Sequence, residues 1–134
     1  MGANKVKILL IDDSEFILQR LELLLGELEQ VSEIRSAMSA EAGIPLLQVY
    51  KPDIIILDIN LPGKNGLQML KNDIRSLKNI HPLVIIFTNN TVSGYKAECL
   101  QYGADYFLDK ARDFHVIPSI IEKTSREARH VQQS

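Results

Sequence analysis

The sequence predicts an α/β domain in which a parallel β-sheet carries helices on both faces. Three observations lead there. Short apolar runs rich in β-branched residues recur at Val6 to Ile11, Ile54 to Leu57 and Leu83 to Phe87. Nearly continuous runs of this kind are how strands buried on both faces read. Stretches with apolar residues at helix spacing lie between them. The two patterns alternate along the chain, and such alternation favours parallel strands joined by helical crossovers.

The elements follow in order. Val6 to Ile11 is the first strand. Ile17, Leu21, Leu24, Leu25 and Leu28 then mark one face of a helix, with Gln, Arg and Glu between them. Val31 to Ser36 is a weaker strand candidate. Ser39 suits the N-cap of a second helix reaching towards Tyr50, because its hydroxyl can accept from a free first-turn amide. Ile54 to Leu57 is the third strand, and Leu67, Leu70, Ile74 and Leu77 stripe the third helix. After the Leu83 to Phe87 strand, Val92, Tyr95, Cys99 and Tyr102 mark a fourth helix that Gly103 ends. Tyr106 to Leu108 is the last strand. Asp113 is placed to cap a fifth helix carrying Phe114, Ile117, Ile120 and Ile121.

Pro45 and Pro118 interrupt two of these helices. A proline beyond the first turn removes a donor and clashes with the preceding turn, at about 3 kcal/mol. A kink or a displaced helix start is expected at each, with Pro118 opening the long part of the fifth helix. From about Arg126 the chain turns polar, and a frayed tail is expected there.

Bulk properties narrow the function. The chain has 134 residues, 46% of them apolar and 24% charged, with a net charge of -2. That fits a single domain over 1–134, with a core of about 5–125. Acidic and basic residues are interspersed, so no basic stripe for nucleic acid is present. Cys99 is the lone cysteine, which excludes an intrachain disulfide and fits a reducing compartment. Gly2 is followed by Val6 where a myristoylation signal needs Ser or Thr. The apolar run at Ile8 to Ile11 is too short for a signal peptide or a membrane span. A cytoplasmic protein without membrane attachment is expected.

The informative polar residues follow strands. Asp12 and Asp13 come after the first strand, Asp58 after the third, Thr88 after the fourth and Lys110 after the fifth. Ligands of open α/β sheets bind beyond the carboxyl ends of the strands. A parallel sheet therefore gathers these residues at one edge. Three carboxylates together need a cation. Their hard oxygens suit Mg²⁺ or Mn²⁺, and the lack of His or Cys in the set argues against zinc. A carboxylate can also attack phosphorus and form an aspartyl-phosphate. Lys110 and Thr88 then offer charge and a hydroxyl to the phosphoryl oxygens.

The segments ILLIDDSEF, PDIIILDINLPGKNGLQML, LVIIFTNN and YGADYFLDK resemble, in order and spacing, the receiver domain of two-component response regulators. The ordered set of Asp pair, Asp-x-x-x-Pro-Gly-x-x-Gly, Thr and Lys carries the likeness across nearly the whole chain. The resemblance implies a flavodoxin-like sheet of order 2-1-3-4-5, a topology for which the family is a standard example. It also implies roles. Asp58 is the phosphoacceptor. Asp13 binds Mg²⁺ directly, Asp12 mainly through water, and Asn60 through its backbone carbonyl. Lys110 pairs with the phosphoryl group. Thr88 and Phe107 shift together on activation, although Phe107 also reads as plain core packing. The implied partners are a histidine kinase or histidine phosphotransfer protein, an output protein of unknown identity, and a second copy through the face of the fourth helix, fifth strand and fifth helix.

The sequence departs from the family pattern in two places. Ala111 follows Lys110 where proline is usual, and Asn89 follows Thr88 where a small residue is commoner. With Asn60 and Asn90 flanking the expected path of attacking water, they predict an altered phosphoryl lifetime. His81, His115 and His130 share no ligand spacing and read as surface or packing residues. Cys99 reads as core filler, and Gly63 and Gly66 as residues of the turn after Pro62. The expected function is a phosphorylation-activated switch, whose only catalysis is its own phosphorylation and dephosphorylation. A phosphorelay intermediate, a receiver detached from a multidomain regulator and a phosphorylation-independent docking module are alternatives. An aspartate-dependent phosphatase is less suited, because the chain has little length for a substrate-binding cap.

Overall fold

The computed structural model describes residues 5–133, without the side chains of Ser93 and of 128–133. Gly2 and the side chain of His130 lie outside the described residues. Five strands form one sheet in the order β2-β1-β3-β4-β5, and every pairing is parallel. They are β1 (Val6–Ile11), β2 (Val31–Ala37), β3 (Ile54–Leu57), β4 (Leu83–Thr88) and β5 (Tyr106–Asp109). The α-helices are α1 (Glu15–Gly26), α2 (Ala40–Val49), α3 (Gly66–Met69), α4 (Ser93–Gln101) and α5 (Ile117–Gln133). The fold class and strand order match the expectation.

Alternate residues of the central strands feed two cores. Ile8, Leu10, Ile54, Ile56, Ile85 and Phe87 meet α1 and α5 through Leu18, Leu21, Leu25, Ile117 and Ile121. Leu9, Ile11, Ile55, Leu57 and Ile86 face the other way and meet Leu47, Met69, Leu70 and Cys99. Each fully buried Leu or Ile contributes about 1.5–3 kcal/mol, so the two-sided strands dominate stability. β2 and β5 are edge strands with only one neighbour. Their partly exposed residues explain why their sequence signals were weaker.

The helices keep some of the expected details and depart from others. α2 starts at the Ser39 cap, whose hydroxyl accepts from the Ala42 amide at 3.1 Å, and continues through Pro45 without a displaced start. Pro118 does displace its helix. A 3₁₀ turn (Phe114–Val116) comes first, and Pro118 is the second residue of α5. Asp113 does not cap α5, because its carboxylate accepts from the Asp109 amide at 2.8 Å. α5 also stays helical past Arg126 to Gln133.

The third helix keeps its stripe but changes its hydrogen bonding. After Met69 it widens into a π turn (Leu70–Ile74), closed by the Arg75 amide on the Leu70 carbonyl at 3.0 Å. In the fourth, Val92 is 62% exposed and lies before the helix, so the stripe holds only from Tyr95 onward. Gly103 does end that region, with φ +98°.

Candidate functional site

β1 and β3 are neighbours, with Ile11 beside Leu57. The next residue of each strand is therefore an aspartate at the same edge. Their backbones are fixed by single ladder bonds: the Asp58 amide donates to Ile11 at 3.0 Å, and the Asp12 amide to Ala37 at 3.1 Å. β5 lies two strands from β3. Lys110 follows it, tied by its amide to the Thr88 carbonyl at 3.0 Å. Its long side chain crosses back to the carboxylates. Lys110 Nζ stands 2.7 Å from Asp12 Oδ2 and 2.8 Å from Asp58 Oδ2, and all three side chains are almost fully buried.

Burial penalises these charges, and their mutual contacts offset the penalty. Burial pushes the Asp12 carboxyl above its ordinary value, and the Asp58 charge adds to this. The Lys110 ammonium and the Ser14 amide pull the other way. For Lys110, burial alone favours the neutral amine. Hydrogen bonds to Asp12 and Asp58 outweigh it, and the net shift is upward, so the ammonium persists at neutral pH.

Asp13 is exposed beside this buried pair. Oxygens of Asp12, Asp13 and Asp58 all lie within 4.8 Å of one another. Three carboxylates face one ammonium, an excess of negative charge that a divalent cation would neutralise. The donor set is all hard oxygen, which fits Mg²⁺ and not a thiophilic metal. It is the one cluster of metal-binding type among the described residues.

The remaining expected residues lie around this centre. Thr88 is fully buried at the end of β4, and its Oγ1 accepts from the Asn90 amide at 3.1 Å. Asn60 is exposed, and its amide approaches Asp58 Oδ1 at 3.4 Å. Asn90 Nδ2 donates to Asn60 Oδ1 at 3.2 Å, so the two asparagines join across the site. Phe107 is part-exposed at the margin of the core that α4 covers. All peptide bonds among the described residues are trans, including the one before Ala111, and Lys110 still reaches both carboxylates.

Sequence reading passed over three supports. Ser14 gives its amide to Asp12 Oδ1 at 2.8 Å while its hydroxyl caps α1 on the Ile17 amide. An Asp-x-Ser run ahead of a helical stripe was the available signal. Glu41 reaches from α2 to the Lys64 amide at 3.1 Å, and Lys64 pairs with Asp73 at 2.8 Å. These bind the loop after Asp58 to two helices, and no local pattern could reveal them. Gly63, at φ +71°, is the turn glycine expected. Gly66 has a different reason, since a Cβ there would collide with the Asp58 carbonyl.

His81 and His115 are exposed. Cys99 is fully buried, and burial pushes its thiol up to about 11. A surface groove of about 610 Å³ lies at the opposite edge of the sheet against Asp53, Arg75, His81 and Asp105, and contains no site residue. Among the described residues, no helix is long and apolar enough to cross a membrane.

Residues 8–122 match the response regulator receiver domain family. The chain belongs to that family. Receivers are phosphorylation-activated switches of two-component signalling, and they generally bind Mg²⁺ at an acidic pocket. The protein-glutamate methylesterase/protein-glutamine glutaminase of Clostridium acetobutylicum is 34% identical over 80% of this chain and 31% of its own length. The nitrate/nitrite response regulator NarL of Escherichia coli is 32% identical over 77% of this chain and 47% of its own. This receiver thus spans roughly a third to a half of the curated relatives it matches. Among solved structures, the response regulator domain of Thermotoga maritima CheB superposes with a TM-score of 0.77 at 25% identity, covering 90% of this chain and 94% of that one. The signal receiver domain of a LuxO repressor protein from Vibrio parahaemolyticus reaches 0.83 at 23% identity, covering 96% of each, a likeness of fold.

Proposed function

We propose that Asp58 is the phosphoacceptor of this receiver, and that residues 1–134 work as one receiver domain with a core of about 5–125. The reading rests on one observation: Lys110 Nζ is held at 2.7 and 2.8 Å between the buried carboxylates of Asp12 and Asp58. An ammonium so placed can follow the negative charge from the carboxylate to an incoming phosphoryl group. An oxygen of Asp58 attacks phosphorus and forms the O–P bond. The bond from phosphorus to the donor nitrogen breaks, and its electron pair leaves with the donor imidazole. Thr88 gives its hydroxyl to a phosphoryl oxygen, and Lys110 neutralises another. Mg²⁺, or Mn²⁺, would be held by Asp13 and Asp58, by the Asn60 carbonyl, and by Asp12 mainly through water. Bound there, it would screen charge between nucleophile and phosphoryl oxygens.

Phosphorylation then favours an active conformation in which Thr88 and Phe107 shift together. The donor is a histidine kinase or histidine phosphotransfer protein. The output is a phosphorylation-dependent protein contact in the cytoplasm, with dimerisation through the α4-β5-α5 face as one form of it. Neither nucleic acid nor a membrane is a direct partner, and self-phosphorylation and its reversal are the only catalysis. A relay intermediate, or a receiver part of a longer regulator, would use the same site. The second of these is favoured by relatives of which this chain spans only 31% and 47%.

Incubation with acetyl phosphate, with and without Mg²⁺, followed by mass spectrometry, tests the reading. One phosphoryl adduct that needs Mg²⁺ and disappears in Asp58→Asn is expected. No adduct in the wild type, or one that survives in Asp58→Asn, overturns the assignment.

A further inference from the structure

α4 is weakly built for a helix that covers part of a core. Beyond the short run of Tyr95, Cys99 and Tyr102, its surface shows little apolar bias. Cys99 is its one fully buried residue among those described, with Tyr95 and the adjoining Tyr102 partly buried. No side chain caps its start at Val92. Gly94 sits in the first turn with open space around it, and glycine weakens a helix. Something else must hold α4 in place.

The neighbouring π turn supplies it. Lys71 Nζ lies 3.1 Å from Glu98 Oε2 and 4.7 Å from the centre of the Tyr102 ring. One ammonium thus contacts α4 through an ion pair and a cation–π contact together. Four residues on, the Arg75 side chain lies against Gly103, close enough that a Cβ there would have to displace it. The contacts fall at the C-terminal end of α4 and on the two residues after it. π turns are rare and cluster at functional positions. This one is also linked to the loop after Asp58, through Asp73 and Lys64 at 2.8 Å.

We propose that Lys71 is a pin that docks α4 onto the π turn and sets how often α4 opens from the domain. The resting state of the surface bearing Val92 and Leu100, 62% and 43% exposed, is then governed by an ion pair outside the phosphoacceptor site. Its use as a control point rests on the receiver reading above; the pin itself does not.

Hydrogen exchange of the amides of residues 97–102 tests it in the unphosphorylated protein. Glu98→Gln should speed exchange about fivefold, the upper range for a part-exposed pair. Lys71→Met should speed it further, because the Tyr102 contact is lost as well. The charge-swapped double variant, Lys71→Glu with Glu98→Lys, should recover at least part of the protection, and Arg35→Met, in an ion pair elsewhere, should change nothing. Exchange at wild-type rates in both single variants, or no recovery in the double, overturns the pin. The acetyl phosphate adduct should form equally in every variant. It should raise exchange in 97–102 for the wild type more than for Lys71→Met; an equal rise overturns the control role. Absence of any adduct in the wild type would count against the receiver assignment alone.

Discussion

Gly66 and Asn90 show how single residues set the chemistry near Asp58. A methyl group at Gly66 would meet the Asp58 carbonyl and the Ile59 backbone, neither of which can yield like a flexible side chain. The Gly66 amide also donates to the Ile59 carbonyl at 2.8 Å. Gly66→Ala should therefore cost about 1–3 kcal/mol, as overpacking does, read as a lower urea midpoint. Asn90 acts from the solvent side, through its 3.2 Å bond to Asn60. Removing one such bond is worth about 0.5–1.5 kcal/mol. If the pair screens the phosphoryl group from water, Asn90→Ala should speed phosphate loss by about two- to tenfold, measured as decay of the adduct. The family resemblance leads one to expect both asparagines beside the path of attacking water. Their direct bond joins residues 60 and 90, a link that only the fold makes.

The helices differ in how much of their own stability they carry. α1 has an N-cap, an acidic first turn and three buried leucines. α4 has none of these, and its stripe was the least reliable of the sequence expectations. Its weakness is partly local, and that part can be repaired. Gly94→Ala adds a methyl group into open space and removes part of glycine's entropic cost. A gain of about 0.5 kcal/mol is expected, read as a higher thermal midpoint. The π turn is the opposite case. Leu67, Leu70 and Ile74 are buried as their spacing predicts, yet nothing in that spacing distinguishes a π turn from an α turn. Periodicity reports which side is apolar, and the hydrogen-bond register is settled by what packs against it.

Across the whole molecule, two buried acids make stability depend on pH at the alkaline end. Burial pushes Tyr50 up to about 12 and Cys99 up to about 11. Tyr50 is enclosed, with its hydroxyl donating to the Ile8 carbonyl at 3.2 Å. Each group is neutral in the fold over a range where the unfolded chain already ionises. Its stabilisation is complete below the unfolded values of 9.0 and 10.0 and is lost as pH rises through the folded ones. Urea midpoints should therefore be insensitive to these groups up to about pH 9 and fall above it, by up to about 3 kcal/mol per group. Tyr50→Phe should remove the part of the fall between about pH 10 and 12, at a cost of about 1 kcal/mol for the lost hydrogen bond.

The sequence by itself determined the fold class, since strands buried on both faces must be almost wholly apolar and cannot be mistaken for solvated segments. It also named Asp12, Asp13, Asp58, Thr88 and Lys110, because parallel strands bring their carboxyl ends to one edge whatever the loops do. Only the tertiary structure decided how these residues meet. That Lys110 bridges Asp12 and Asp58, that Asn90 reaches Asn60, and that Lys71 leaves a π turn to hold α4 are side-chain encounters between distant elements. They depend on register, strand order and helix placement, which local propensity and periodicity do not encode.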